Sequence, residues 1–576
     1  MTNGLYEQIE ADVLVLGGGG AAIRAAIAAK ENGANVIVVC KGVVGRSGAT
    51  PMACPSYQAA IAHQDPRDNA AIAFDDTVEE GRYLGDEDLI LALTQESSER
   101  ARDMERYGLK YEMAGGHWFQ VQHPGHSYAR NLVIRGCGYA MNAALKRQSK
   151  KLSIPLYEDC MATRFLLDGN RVTGVVAVGM RDHKFYVFRG KAVILATGGY
   201  PELWEFTDTS RDLTGDGVTM AYRAGADLVD MEMMLYYPTC LKWPPEVEGT
   251  LVQHEGLINP NYIGAPLLNG LGEQIIPPGL PPVRDELMKI MIKEILAGRG
   301  TPNGGVYIAI PRSPKSKEEI FALLKKLDSL PYHNMTDLEV DVTQQYLEVA
   351  PGTHFTLGGV RINDRAETNL VGLFAAGEVS GNCHGANRTS GNALAETQVF
   401  GKRAGDNAVQ FAREHGFGRL DTAAAAAEIQ WLQGLLDRSS GQYRPNEIKK
   451  QIQHVMHEHM GYQRDAAGMQ AGLAALRQIQ YELLPHMYVN PTSHFDYEWM
   501  EAIEVEMMVE LAQVVIRSGL TREETRGHHW RTDFPQSRAE WCQHVRTRRG
   551  PEGEVEISTA PVRRAGIQVK TKSERL

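Results

Sequence analysis

The chain has 576 residues, too many for one hydrophobic core, so about two to four structural units are expected. Its formal net charge of -11 argues against a nucleic-acid partner held by bulk electrostatics, although a few local arginines can still hold an anionic substrate. No run of about 18 apolar residues is present, so no membrane span is expected. Residues 1–11 are partly acidic and lack the apolar stretch of a secretory signal, which makes the cytoplasm the expected compartment. The seven cysteines form no CxxC pair. The chain therefore offers no framework for an iron-sulfur cluster or zinc, and reduced, unpaired thiols are expected.

In chain order, Asp12–Leu16 reads as a buried parallel strand. A glycine run follows, then an Ala-rich helix from Ala21 to Asn32, ended by Gly33, and a second strand at Val36–Val39. This is a β-α-β unit with the pattern Gly17-x-Gly19-x-x-Ala22 at its turn. Gly17 allows the tight turn, Gly19 lets the backbone approach a pyrophosphate, and Ala22 permits close helix–strand packing. Amides at the helix N-terminus then hold the phosphates. The end of the second strand, where an acid usually meets the ribose, holds Cys40 and Lys41 instead. Helix is expected through most of 66–107. Arg171–Met180 and Lys184–Phe188 read as a β-hairpin leading to a strand at Ala192–Leu195 and to Ala196-Thr197-Gly198-Gly199. A further strand at Gly372–Ala375 ends in Ala376-Gly377-Glu378, which can bring a carboxyl near a ribityl chain. The two strand ends together favour FAD over NAD. Residues 235–350 are irregular and rich in Pro and Gly, as expected of an inserted domain. Residues 421–518 are almost all helical, and the last 50 or so lack strong periodicity.

The predicted fold is α/β, with a Rossmann-like FAD-binding domain (1–234 and 351–415), an inserted α+β capping domain (235–350), a C-terminal helical domain (416–520) and a tail region (521–576). The sequence resembles the flavoprotein subunits of fumarate reductase and succinate dehydrogenase, with L-aspartate oxidase and the flavin subunit of adenylylsulfate reductase among their relatives. The resemblance rests on the Gly-rich N-terminus, Arg46-Ser47-Gly48-Ala49, Thr214-Gly215-Asp216-Gly217, Arg284-Asp285 and His354-Phe355-Thr356-Leu357-Gly358-Gly359. It also rests on His384-Gly385-Ala386-Asn387-Arg388 with Ser390 to Glu396, and on Thr525-Arg526-Gly527-His528.

The resemblance implies that His354 and Arg388 clamp one substrate carboxylate and that Arg284 moves a proton at the carbon next to the one exchanging hydride with the flavin. It implies an FAD site built from Gly17, Gly19, Gly20, Ala21, Ala22, Lys41, Ser47, Gly48 and Ala162. Thr197, Gly198, Asp216, Glu378, Ser390, Asn392, Ala393 and Leu394 complete that site. It further implies an oxidoreductase that reduces or forms a C–C double bond next to a carboxylate, with a small carboxylate substrate and a separate iron-sulfur or other electron-transfer protein partner. The alternatives it leaves open are another redox chemistry on the same scaffold, adenylylsulfate reductase-like or amino-acid oxidase-like, and a non-catalytic electron-relay flavin subunit.

The departures are informative. The family's His-Pro-Thr-Gly reads Tyr237-Pro238-Thr239-Cys240, and its Thr-Glu-x-x-Arg-Gly-Glu-Gly reads Gly249 to Gly256. The second carboxylate site thus loses its His and Thr, and the proton-relay pair becomes Thr250 and Gln253. A relay then needs His254 or Glu255. A bulkier or mono-anionic substrate is expected in place of fumarate or succinate, with Tyr237 facing it and Gly249 making room. Gly48 stands where many relatives carry a flavin-tethering His, so the FAD should be non-covalent. His454, His457 and His459 are expected to be surface residues with no metal, and the basic segments 546–549 and 563–564 to be solvated.

Overall fold

A computed structural model describes residues 4–327, 341–492 and 494–575. The stretch 328–340 of the expected inserted domain lies outside the described residues. At the centre is a seven-stranded sheet. Strand Glu7–Leu16 runs parallel to Val36–Val39 on one side and to Phe185–Leu195 on the other. The expected strand at 192–195 is the end of this longer strand, which forks. Its first half pairs with the hairpin strand Arg171–Gly179, and Val193–Leu195 pair in parallel with Leu373–Ala375. The fork sets the ends of Glu7–Leu16, Phe185–Leu195 and Leu373–Ala375 side by side.

Small residues bring the covering helices close. Helix Gly20–Glu31 packs on the 23-residue helix Asn392–Glu414. A Cβ on Gly401 would lie 2.8 Å from the Ala21 carbonyl oxygen, and one on Gly405 would lie 2.4 Å from that of Ala25.

A second sheet has the order Met234–Leu241, Leu347–Thr356, Val306–Ile308, Leu267–Leu268. With helices Arg284–Glu294 and Lys317–Lys326 it encloses a separate core that includes Leu241, Leu257, Leu287, Met291 and Ile308. Ion pairs from Arg82 to Asp285 (2.7 Å) and Glu286 (3.1 Å) join this unit to the central body. Helices Thr422–Leu436, Pro445–His459, Ala466–Gln478 and Tyr497–Thr521 pack together further along the chain. No helix among the described residues is long and apolar enough to cross a membrane.

The C-terminal region differs from expectation. Gln543–Arg549 and Val555–Pro561 form a hairpin that joins Leu228–Val229 and Gly359–Val360 in a further four-stranded sheet. Its first strand is Arg-rich and its second short and half polar, so neither carries a strong hydrophobic alternation, which hid them in the sequence. The basic segments are not simply solvated. Arg548 pairs with Asp227 at 2.7 Å, Arg563 with Asp86 at 3.1 Å, and Arg564 with Glu87 at 2.8 Å. His454 is exposed and pairs with Glu205. No group of three or more His, Cys, Asp or Glu side chains able to hold a metal occurs among the described residues.

His544 of this hairpin is fully buried between Asp230 (2.5 Å) and Asp86 (3.1 Å). Burial alone would lower its pKa, but the two carboxylates outweigh burial and raise it to about 9. A raised folded-state pKa gives stability that is complete below the unfolded value of about 6.5 and is lost as pH rises through about 9. The thermal unfolding midpoint is therefore expected to fall between pH 7 and about 9.5. In His544→Gln that part of the slope should vanish; an unchanged slope would show that His544 does not carry the effect.

Candidate functional site

A cleft of about 1200 Å³ runs from the glycine turn to His354 and Phe355. Gly17 has φ +119°, and a Cβ there would stand 2.1 Å from the Ala196 carbonyl oxygen, so only glycine fits the turn. Gly19 caps helix Gly20–Glu31 without a side-chain hydrogen bond. The first amides thus point into the cleft, with Gly20 N–H also meeting Thr50 Oγ1 at 3.1 Å. Cys40 is buried and its thiol is pushed up to about 12 by burial, so it stays neutral. Lys41 is engaged by Asp216 (2.9 Å) and Glu504 (2.7 Å). The Thr197 hydroxyl is buried without a partner. Glu378 accepts the Thr356 N–H at 3.0 Å, and burial raises its pKa to about 8. At neutral pH it is therefore a protonated donor.

Of the sequence-predicted cofactor residues, Gly17, Gly19, Gly20, Ala21, Lys41, Ser47, Gly48 and Ala162 line this cleft. So do Thr197, Gly198, Asp216, Glu378, Ala393 and Leu394. Ala22 is fully buried beneath the turn. Asn392 turns its side chain to Thr77, and Ser390 faces a different cavity. The sequence reading missed Thr50, Asp208, Asp212 and Thr397, which also line the cleft. Asp212 accepts the Gly48 N–H at 3.0 Å, but it lies in an irregular stretch with no motif to reveal it.

Beside the end of the cleft is a cavity of about 210 Å³ lined by Glu80, Pro124, His254, Glu255, Arg284, Arg388 and Ser390. Arg388 donates to His354 Nε2 at 3.0 Å, and His354 Nδ1 meets Asp208 at 2.8 Å. Asp208 therefore accepts a hydrogen bond from Nδ1–H, which keeps the proton there and leaves Nε2 as an acceptor. Burial lowers the His354 pKa despite Asp208, consistent with a neutral ring. Phe355 lies under the Arg388 guanidinium at 4.9 Å. Among the described residues Arg388 has no carboxylate ion-pair partner, and its Nε is buried and unpaired.

Arg284 opens helix Arg284–Glu294 and pairs with Glu255 at 2.8 Å. The Tyr237 hydroxyl donates to the other Glu255 oxygen at 2.5 Å. Burial opposes ionisation of Glu255, but His254, Arg284 and His123 together hold its pKa well below the carboxylate range. Arg284 is the permanent charge among them. Ser390 joins Arg284 (3.1 Å) to His123 (2.8 Å). Thr250 lies in a half-buried turn and does not line the cavity; Gln253 is buried beside it in sequence only, with Oε1 unpaired. Gly249 makes no room for a ligand. Its φ is +83°, and a Cβ would lie 2.5 Å from the Thr207 carbonyl oxygen, so the backbone itself requires glycine.

The helix N-terminus opened by a glycine, the turn that excludes any Cβ and the unpaired Thr197 hydroxyl fit FAD, and the class so defined is an FAD-binding oxidoreductase. The FAD binding domain family matches residues 12–394, and the fumarate reductase flavoprotein C-terminal family matches residues 449–575. The chain is 36% identical over 549 residues to a subunit of the fumarate reductase (CoM/CoB) of Methanothermobacter marburgensis, covering 94% of this chain and 97% of that one. E. coli quinol fumarate reductase FrdA superposes with a TM-score of 0.89 at 26% identity, covering 98% of this chain and 99% of that one. Archaeoglobus fulgidus adenylylsulfate reductase superposes with a TM-score of 0.79 at 22% identity, covering 99% and 98%, a likeness of fold. This chain belongs to the fumarate reductase/succinate dehydrogenase flavoprotein family.

Gly48 lines the FAD cleft, and nothing lies within 4 Å of where its Cβ would be. With no side chain there to bond the isoalloxazine, one FAD per chain is expected to leave the protein on acid precipitation. Yellow colour retained in the washed pellet would overturn this.

Proposed function

We propose that this chain is the flavin-bearing catalytic subunit of an enzyme that reduces or forms a C–C double bond next to a carboxylate. The observation that carries this reading is Arg388, a buried guanidinium at the end of the FAD cleft with no carboxylate partner among the described residues. A substrate carboxylate would supply the missing charge, with Arg388 donating in the charge-assisted geometry typical of such pairs. His354, oriented by Asp208, completes the clamp.

FAD, when bound, supplies two-electron hydride chemistry. The chain's own residues do the rest. Arg284 would hold or receive the proton at the neighbouring carbon, a demanding role for a group whose free pKa exceeds about 12. It becomes feasible only in a closed site from which water is excluded. Burial pulls Arg284 down and Glu255 more than restores it, so it rests as a charged donor. Glu255 is its immediate proton partner, backed by the Tyr237 hydroxyl. Of the two groups that the sequence offers for a relay, His254 and Glu255, the relay is thus read onto Glu255.

Electrons would come from, or go to, a separate iron-sulfur or other electron-transfer protein. In support, the chain has no CxxC pair, and relatives are named as subunits, as in the 8-methylmenaquinol:fumarate reductase flavoprotein subunit of Wolinella succinogenes. Its substrate is read as mono-anionic rather than as fumarate or succinate.

The test is steady-state kinetics with an artificial electron donor and a panel of enoates. Arg388→Ala should lower kcat/KM by about 30-fold or more, equivalent to about 2 kcal/mol or above. Glu255→Gln should lower kcat by about 100-fold with FAD content unchanged. Normal turnover in both variants would overturn the assignment.

A further inference from the structure

The carboxylate clamp and the proton group leave two polar walls of the same cavity without a role. Glu80 and His254 are both buried and both face it. Asn387 fixes Glu80. Its Nδ2 donates to Glu80 Oε1 at 2.7 Å and to Asp285 at 3.1 Å, and its Oδ1 meets His528 Nε2 at 3.1 Å. Glu80 Oε2 has no hydrogen-bond partner among the described residues. Burial, reinforced by Asp285, raises the Glu80 pKa to about 8, so the carboxyl is mostly protonated near neutrality. Since Oε1 is an acceptor for Asn387, the proton belongs on Oε2.

His254 has the opposite polarity. The Thr239 hydroxyl donates to the Val252 carbonyl at 2.5 Å, so its oxygen is left to accept from His254 Nδ1 at 3.3 Å. Burial lowers the His254 pKa to about 4, so the ring is neutral. With its proton on Nδ1, the buried and unpaired Nε2 is a bare acceptor.

The charges in the cavity can be counted. Arg284 is matched by Glu255, whereas Arg388 is unmatched. One carboxylate neutralises the site. A second would meet the His254 lone pair and the ionised Glu255; Arg284 Nη1, which has no partner among the described residues, is the donor that the proposed mechanism assigns to the reacting carbon. The cavity, of about 210 Å³, suits a small head group.

We propose that the substrate end opposite the clamped carboxylate is a small uncharged group that accepts a hydrogen bond from Glu80 and donates one to His254, as a primary carboxamide does. This rests on the carboxylate-clamp reading above. Glu80 and His254 are then the residues that set specificity at that end.

The test uses the oxidised FAD-loaded protein and follows the flavin absorbance change on titration at pH 7. The probes are fumarate and its monoamide, which share one carboxylate and the double bond. The monoamide is expected to bind at least tenfold more tightly. Glu80→Leu and His254→Gly should each bring that ratio towards one, while Arg388→Ala should weaken both probes. Fumarate binding as tightly as the monoamide in the unmodified protein would overturn the inference and leave the clamp standing. So would a preference that survives both Glu80→Leu and His254→Gly. If neither probe perturbs the flavin, the clamp reading falls and this inference with it.

Discussion

Two guanidinium groups, Arg284 and Arg388, face one small buried cavity, and the surrounding structure answers the cost of burying them. A buried charge without compensation is expensive. Arg284 is compensated by Glu255, and Glu255 in turn needs the Tyr237 proton for its second oxygen. Arg388 is compensated only in part. It leans on a neutral imidazole lone pair, available because Asp208 binds the other ring nitrogen, and on the face of Phe355. Burial and the nearby Arg284 both lower its pKa, which marks it as the cation least well served by the protein. A site in this condition binds an anion because the anion removes an electrostatic penalty already present.

The fold brings these groups together from distant parts of the chain. Arg388 follows the strand Leu373–Ala375 of the central sheet, His354 sits on the second sheet, and Arg284 begins a helix of the inserted unit. Asp285, next to Arg284, is held by both Arg82 and Asn387 from the central body. The C-terminal segment supports the loop that carries Arg388. A Cβ on Gly527 would lie 2.1 Å from the Ala386 carbonyl oxygen, and His528 meets the Asn387 side chain. Positioning of Arg284 therefore depends on how the inserted unit sits against the body, the arrangement in which lid closure can complete a site.

Much of this was legible in the sequence wherever local pattern carries the information. The strand, glycine turn and helix at the N-terminus show because a buried strand, a positive-φ glycine and an Ala-rich helix each have their own signature. Arg284, His354 and Arg388 showed through motif resemblance, and the structure places Arg284 and Arg388 on one cavity with His354 against Arg388. Asp208 and Glu80 did not show. Their partners lie 146 and 307 residues away, so no local spacing records them. The C-terminal hairpin was hidden by the weak hydrophobic alternation of its strands. Gly249 illustrates the reverse error: a missing side chain was read as space, whereas the backbone conformation and the Thr207 carbonyl demand glycine.

The altered relay is also an electrostatic matter. Relative to the family pattern, Thr250 stands for an acid and Gln253 for an arginine, so the two changes together leave the net charge unaltered. What they remove is a titratable pair; what remains beside Arg284 is Glu255, flanked by the Tyr237 hydroxyl and by His254 at 3.4 Å. Tyr237 is pushed well above its ordinary pKa by burial and by Glu255, so it stays a donor and stabilises the carboxylate. His254 is neutral. The local balance is therefore one positive and one negative charge around the proposed proton position, with Arg388 left over. Removing two charged side chains from this region lowers the desolvation needed to close it. On the proposed reading, no cation among the described residues is left over for a second carboxylate, and proton transfer and the choice of substrate then depend on the same few side chains.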